Sequence, residues 1–111
     1  MGRNSIVRGS KRRRYIGFVV KSGRDSFTES DLVNSLMYHC KNFLNRDYRE
    51  MGLWLIKFDG EMGILRCNHV EKENIIKLLR SIRNVSSRKV EIETVGTSGT
   101  IKSLVSKYMN K

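Results

Sequence analysis

The sequence predicts an α+β sandwich in which strands and helices follow the order β-α-β-β-α-β, with an antiparallel four-stranded sheet and an extra C-terminal helix. Three observations predict it. Apolar residues recur at helical spacing in three segments, and β-branched and aromatic residues gather at strand spacing in four others. Asp59-Gly60 marks a hairpin between two of those strands. A chain of 111 residues suits one domain. At that size a single core buries roughly 65% of the surface that the unfolded chain exposes, so no covalent staple is required.

Each element has its own justification. Residues 1–12 are small, polar and basic and read as a flexible arm, which leaves 13–111 as the sandwich domain. Tyr15 to Lys21 is a strand, and KSGRDS supplies turn residues after it. Thr28 and Asp31 have the spacing of a capping box, with Phe27 and Leu32 as the hydrophobic staple beside it. Leu32, Val33, Leu36, Met37, Cys40, Phe43 and Leu44 then mark one face of a helix. Leu53 to Phe58 and Met62 to Cys67 are the two arms of the hairpin. Asn68 and Glu71 repeat the capping-box spacing ahead of a second helix striped by Ile75, Leu78, Leu79 and Ile82. Residues 84–89 read as a basic, serine-containing loop, and Lys89 to Val95 as the fourth strand. Past TSG, a third helix carries Ile101, Leu104, Val105, Tyr108 and Met109. This order is that of the ferredoxin-like, RRM-like sandwich.

A two-residue turn at Asp59-Gly60 sets the sheet faces. Trp54 and Ile56 then lie with Leu65 and Gly63, and Leu53, Leu55 and Lys57 with Arg66, Ile64 and Met62. Both faces carry apolar residues, whereas the first two helices cover one. The terminal helix is the expected cover for the other.

Charge limits the function classes. There are 22 basic and 11 acidic residues, net +11, and residues 1–24 hold eight basic residues and no acidic one. Such a field favours a polyanion, of which nucleic acid is the commonest. The longest apolar runs are too short for a membrane span, and no basic amphipathic helix with bulky insertion residues marks a membrane surface. No apolar signal-peptide core opens the sequence, so the expected location is the cytoplasm.

The stretch RYIGFVVK (14–21) partly matches the RRM signature at Arg14, Gly17, Phe18 and Val19, but Ile16 and Lys21 occupy aromatic positions of that signature. Phe18 alternates with Ile16 and Val20, which is the pattern of a core-facing trio. Lys11, Arg12, Arg13 and Arg14 instead form a cluster that follows a phosphate backbone without reading bases. His39, Cys40, Cys67 and His69 lack the spacing of a closed zinc site, so no metal is expected. The expectation for the chain itself is no bound cofactor and no catalytic residue. An acylphosphatase-like enzyme has the same topology, but around Gly23 and Arg24 the glycine-rich phosphate loop is missing. TSGTIK can cradle an anion at a helix start, with Ser98 or Thr97 as a plain cap.

KRRRYIGFVV, GILRCNH (63–69) and VGTSGTIK (95–102) resemble, in order and spacing, protein component 2 of archaeal and eukaryotic ribonuclease P, from about residue 11 to the C-terminus. The chain departs from that family in details such as the loop at 84–89. The resemblance implies an accessory subunit that binds and stabilises the catalytic ribonuclease P RNA for 5′-leader removal from precursor tRNA, which it meets indirectly. It further implies that the RNA carries catalysis with Mg²⁺, and that protein partners include a larger barrel-like subunit and a second copy of the chain. The RNA-contacting candidates are Lys11, Arg12, Arg13, Arg14, Arg66, Arg88, Lys89 and Lys102. Tyr48, Leu53, Leu55 and Ile64 are the candidates for protein contacts. A stand-alone or ribosomal RNA-binding domain is the alternative reading.

Overall fold

The structure is a computed structural model that describes residues 12–21 and 28–109. The elements are β1 (Arg13–Lys21), α1 (Glu29–Leu44), β2 (Trp54–Phe58), β3 (Met62–Asn68) and α2 (Lys72–Ser81), the last entered through a 3₁₀ turn at His69–Glu71. A miniature hairpin, β4 (Asn84–Val85) and β5 (Arg88–Lys89), leads to β6 (Glu91–Ser98). The final helix α3 (Ile101–Leu104) widens into π-helical turns over Val105–Met109. The main sheet has the order β2-β3-β1-β6 with every neighbouring pair antiparallel, so the predicted architecture holds. The arm up to Lys11, the Phe27 half of the staple and the turn at 22–27 lie outside the described residues.

The core forms where the sequence places it. Ile16, Phe18 and Val20 of β1 are buried together with Leu65 and Cys67 of β3, under Leu32, Leu36 and Cys40 of α1 and Ile75, Leu78 and Leu79 of α2. The Phe18 ring stacks on Phe58 with centroids 6.2 Å apart and occupies the space that a side chain at Gly63 would fill. The capping box of α1 is complete. Thr28 N donates to Asp31 Oδ2 at 3.0 Å and Asp31 N to Thr28 Oγ1 at 3.2 Å. Phe43 departs from the predicted stripe, being 59% exposed beside the His39 ring.

Four local expectations are corrected. The hairpin turn is longer than two residues. Asp59 N donates to Met62 O at 3.0 Å, and Asp59 Oδ1 accepts from Glu61 N and Met62 N at 2.9 and 2.8 Å. With a bulge between Leu55 and Lys57, the register pairs Trp54 with Arg66 and Leu55 with Leu65. Trp54 therefore shares a face with Arg66, and Leu55 joins the core face, because a one-residue slip exchanges the two faces of a strand. The loop at 84–89 is a hairpin turned by Ser86 (φ 51°) and Ser87 (φ 69°). Thr100, rather than Ser98 or Thr97, caps the last helix, its hydroxyl accepting from Ser103 N at 3.1 Å.

The fourth correction concerns α2. Asn68 makes no side-chain cap bond there, because both members of the expected box are held by distant partners. Asn68 Oδ1 accepts from Arg13 Nη1 at 2.7 Å, while Glu71 accepts from Arg46 Nη2 at 2.7 Å and from the Asn74 amide at 2.9 Å. Glu71 is 8% exposed. Burial pushes its carboxyl up, but the Arg46 guanidinium and the Asn74 amide outweigh that and hold it below the usual range. A depressed carboxyl stabilises the fold above its unfolded pKa of 4.5, and that contribution is lost as pH falls through the folded value. Glu71→Gln is expected to cost about 1–2 kcal/mol at pH 7, the modest end of the range because Arg46 is partly exposed. Urea melts of wild type and variant should converge as the pH drops below 4.5; a gap of constant size would dismiss the ion pair as its source.

The sheet face opposite α1 and α2 is covered in part. Gly17 and Gly96 pair across β1 and β6 and leave a trough without side chains. Leu104 is fully buried beside Gly17, and the Tyr108 ring lies directly on Gly96. The terminal helix thus covers the β1–β6 half. Trp54 on the β2–β3 half remains 56% exposed.

Candidate nucleic-acid interface

The antiparallel order brings most of the basic candidates to one end of the sheet. β1 begins there, β3 and β6 end there, and the connector from α1 to β2 crosses it. Arg13 pairs with Asn68, Arg14 with Cys67 and Tyr15 with Arg66 along β1 and β3. Arg12 O accepts from His69 N at 2.7 Å, which ties the start of the strand to the start of the α2 turn. Arg12, Arg13, Arg14, His69 and Gly99 line one shallow depression at this end. Lys102 is exposed on the first turn after Gly99. Arg88 and Lys89 sit in the β4–β5 hairpin, which packs near the start of α1 at the other end: Ser35 Oγ donates to Asn84 O at 3.4 Å. Arg88 faces Asp31, whose carboxyl is held below its usual range by the Thr28 amide first, with Ser86 and Arg88 adding to it. Lys11 lies outside the described residues.

A groove opens beside this end between β2, β3 and the connector. It brings together Arg13, Arg49 and Arg66, the rings of Tyr48 and Trp54, and Asn68. Asn68 is the hub: besides accepting from Arg13 it donates from Nδ2 to Glu50 O at 3.2 Å, and its backbone N–H reaches Met51 O at 2.9 Å. Gly52 makes this possible, since it has φ 67° and a Cβ there would run into the Asn68 side chain. Gly52→Ala is expected to cost about 1–2 kcal/mol from the left-handed backbone alone. It should also displace Asn68 from Arg13. A melting temperature equal to wild type would contradict this.

The protein-contact candidates fall differently. Leu53 belongs to the core at 4% exposure, Leu55 and Tyr48 pack against that core half-buried, and Ile64 is 1% exposed beside Gly17. The Arg49 guanidinium lies over the Tyr48 ring, 5.6 Å from its centroid. Sequence reasoning missed Arg49 and Trp54 as members of the site. A lone arginine in a polar connector carries no signal of its own, and Trp54 was assigned to the wrong face.

Burial pushes the thiols of Cys40 and Cys67 up to about 11 and about 12, so both stay protonated and unreactive at neutral pH. Among the described residues no group of three or more His, Cys, Asp or Glu side chains is placed to hold a metal ion. No helix among them is long and apolar enough to cross a membrane.

Comparison with known proteins agrees with the sequence motifs. Ribonuclease P protein component 2 of Pyrococcus furiosus is 31% identical over 107 residues, covering 90% of this chain and 85% of its own. The protein of the same name from Archaeoglobus fulgidus is 32% identical over 98 residues, covering 88% and 89%. The fold is shared with a chain in the cryo-EM structure of yeast ribonuclease MRP, at a TM-score of 0.66 and 10% identity over 81% of this chain and 76% of that one. Residues 14–109 match the family model for Rpp14/Pop5, a span that starts inside the arginine cluster of β1 and ends in the terminal helix, so the chain belongs to the Rpp14/Pop5 family.

Proposed function

We propose that this chain is an accessory protein subunit of ribonuclease P, which binds and stabilises the catalytic RNA for removal of the 5′ leader from precursor tRNA. The observation that carries this reading is the family match across residues 14–109, together with relatives that bear the name of a ribonuclease P component at near-full coverage. The distribution of charge supports it. The arginines at the end of the sheet suit phosphates, and phosphate contacts position a protein on RNA without demanding a sequence. In this reading the chain supplies no catalytic acid or base. The RNA carries the reaction with Mg²⁺, and precursor tRNA is met indirectly. Other protein subunits, among them a larger barrel-like one, complete the particle. A second copy of the chain is a further candidate partner.

Reconstitution tests the proposal. The catalytic RNA, a barrel-like partner and this chain are combined with precursor tRNA and Mg²⁺, and leader removal is followed with and without the chain. Faster cleavage in its presence, and none from the proteins without RNA, is the expected result. Cleavage by the purified chain alone would overturn it, as would purification from cells as a monomer free of RNA and protein.

A further inference from the structure

The groove at β2 and β3 is built unlike a plain phosphate clamp. Trp54 stands at the start of an edge strand with more than half of its surface exposed, although large aromatic rings are ordinarily well covered. Its register partner is Arg66, whose Nε is buried and, among the described residues, has no hydrogen-bond acceptor. A buried donor without an acceptor is costly unless a ligand completes it. Arg13 stands one pair further along the same face, and its terminal nitrogen is fixed on the neutral amide of Asn68.

The neighbouring charges separate this groove from an ordinary solvated surface. Among the described residues no ion pair forms at Arg13, Arg49 or Arg66. Arg46, in the same connector as Arg49, has two carboxylates, Glu71 at 2.7 Å and Glu50 at 3.4 Å. Glu50 also borders the groove, but its carboxylate is turned to Arg46. The fold therefore neutralises the arginine that stabilises it and leaves Arg13 and Arg66 without a carboxylate, whereas Arg49 is held by Tyr48 and feels Asp47. An open ring beside guanidinium groups that lack a carboxylate matches single-stranded nucleic acid, whose unstacked base offers a π-face while its phosphate offers the counter-charge. A duplex keeps its bases stacked and cannot present one to the ring.

We infer that the groove is a binding site for one unpaired nucleotide of RNA, with the base stacked on Trp54 and its phosphate held by Arg66 and Arg13. This inference rests on the reading of RNA as the partner, and specifies single-stranded RNA for a site distinct from the cluster at Arg12 and Arg14. It departs from the usual RRM arrangement, in which rings stand in the middle of the sheet: here that space lies under the terminal helix, and the stacking ring is displaced to the edge.

Trp54 is the sole tryptophan of the chain, so its fluorescence reports the groove directly. The full chain is titrated with a single-stranded RNA ten-mer and with the same sequence as a duplex, and affinity is measured in parallel by anisotropy of labelled RNA. Saturable quenching by the single strand and not by the duplex is expected. Trp54→Ala should weaken single-strand binding about 5- to 100-fold, the worth of one stacked base, and leave the salt slope unchanged. Trp54→Phe should recover most of that loss. Arg66→Gln should weaken binding and lower the salt slope by about 0.7, the share of one phosphate contact on a single strand. RNA binding with unaltered Trp54 emission and an unaffected alanine variant would overturn the groove while leaving the subunit reading intact. A change in Trp54 emission caused by a protein partner and not by RNA would also overturn it. Absence of RNA binding by both the chain and the reconstituted particle would instead remove the subunit reading.

Discussion

Phe18→Ala is expected to remove about 3–5 kcal/mol of stability, the cost of deleting a fully buried ring and leaving the cavity behind. A domain of this size has about 5–15 kcal/mol in all, so the variant sits near the edge of folding. The loss is large because Phe18 joins three parts of the molecule. It stacks on Phe58 of the edge strand, fills the space above Gly63, and belongs to the core beneath both long helices. Urea unfolding should show a much lower midpoint with an unchanged slope. Phe18→Leu keeps most of the apolar volume and should cost far less, without altering RNA affinity. Weaker RNA binding by a stably folded leucine variant would mean that the ring meets bases after all.

Replacing Lys11, Arg12, Arg13 and Arg14 with alanine is expected to weaken RNA binding on the order of 10²-fold near 0.1 M salt. If all four meet phosphates, the slope of log affinity against log salt should fall by about three, since each contact on a single strand contributes about 0.7. Sequence preference should stay as it was, because phosphate contacts carry no base information. The strand itself should survive, as Ile16, Phe18 and Val20 anchor it from the core side. An unchanged slope, measured by titration at several salt concentrations, would place the phosphate contacts on other residues.

The parts of this molecule that were legible in the sequence are those decided locally. The Thr28–Asp31 box joins residues three apart, and alternation alone sends Ile16, Phe18 and Val20 to one face. What escaped depends on residues far along the chain. Asn68 and Glu71 have capping-box spacing, yet Arg13 holds the first from 55 positions away and Arg46 the second from 25. The face of Trp54 turned on how many residues the hairpin loop takes and on a bulge in β2, neither of which Asp59-Gly60 specifies. The site followed the same division. Arg13 is conspicuous in the basic cluster ahead of the first predicted strand and Arg66 as a basic residue within the third, whereas Arg49 and Trp54 join them through the register and the connector. The glycine pair of the trough was equally silent, because Gly17 and Gly96 acquire meaning when β1 and β6 meet.

The bulge in β2 has an effect on the company this sheet can keep. An edge strand exposes a row of unsatisfied amides and carbonyls that invites another strand to zip onto it, the first step of many aggregates. β2 is such an edge and spans five residues, interrupted between Leu55 and Lys57 with the lysine beside the break. An incoming strand would lose register within two or three residues and meet a charge there. The irregularity that turns Trp54 outward therefore also keeps that border from polymerising, so a highly basic protein can wait for its RNA without adding copies of itself along β2.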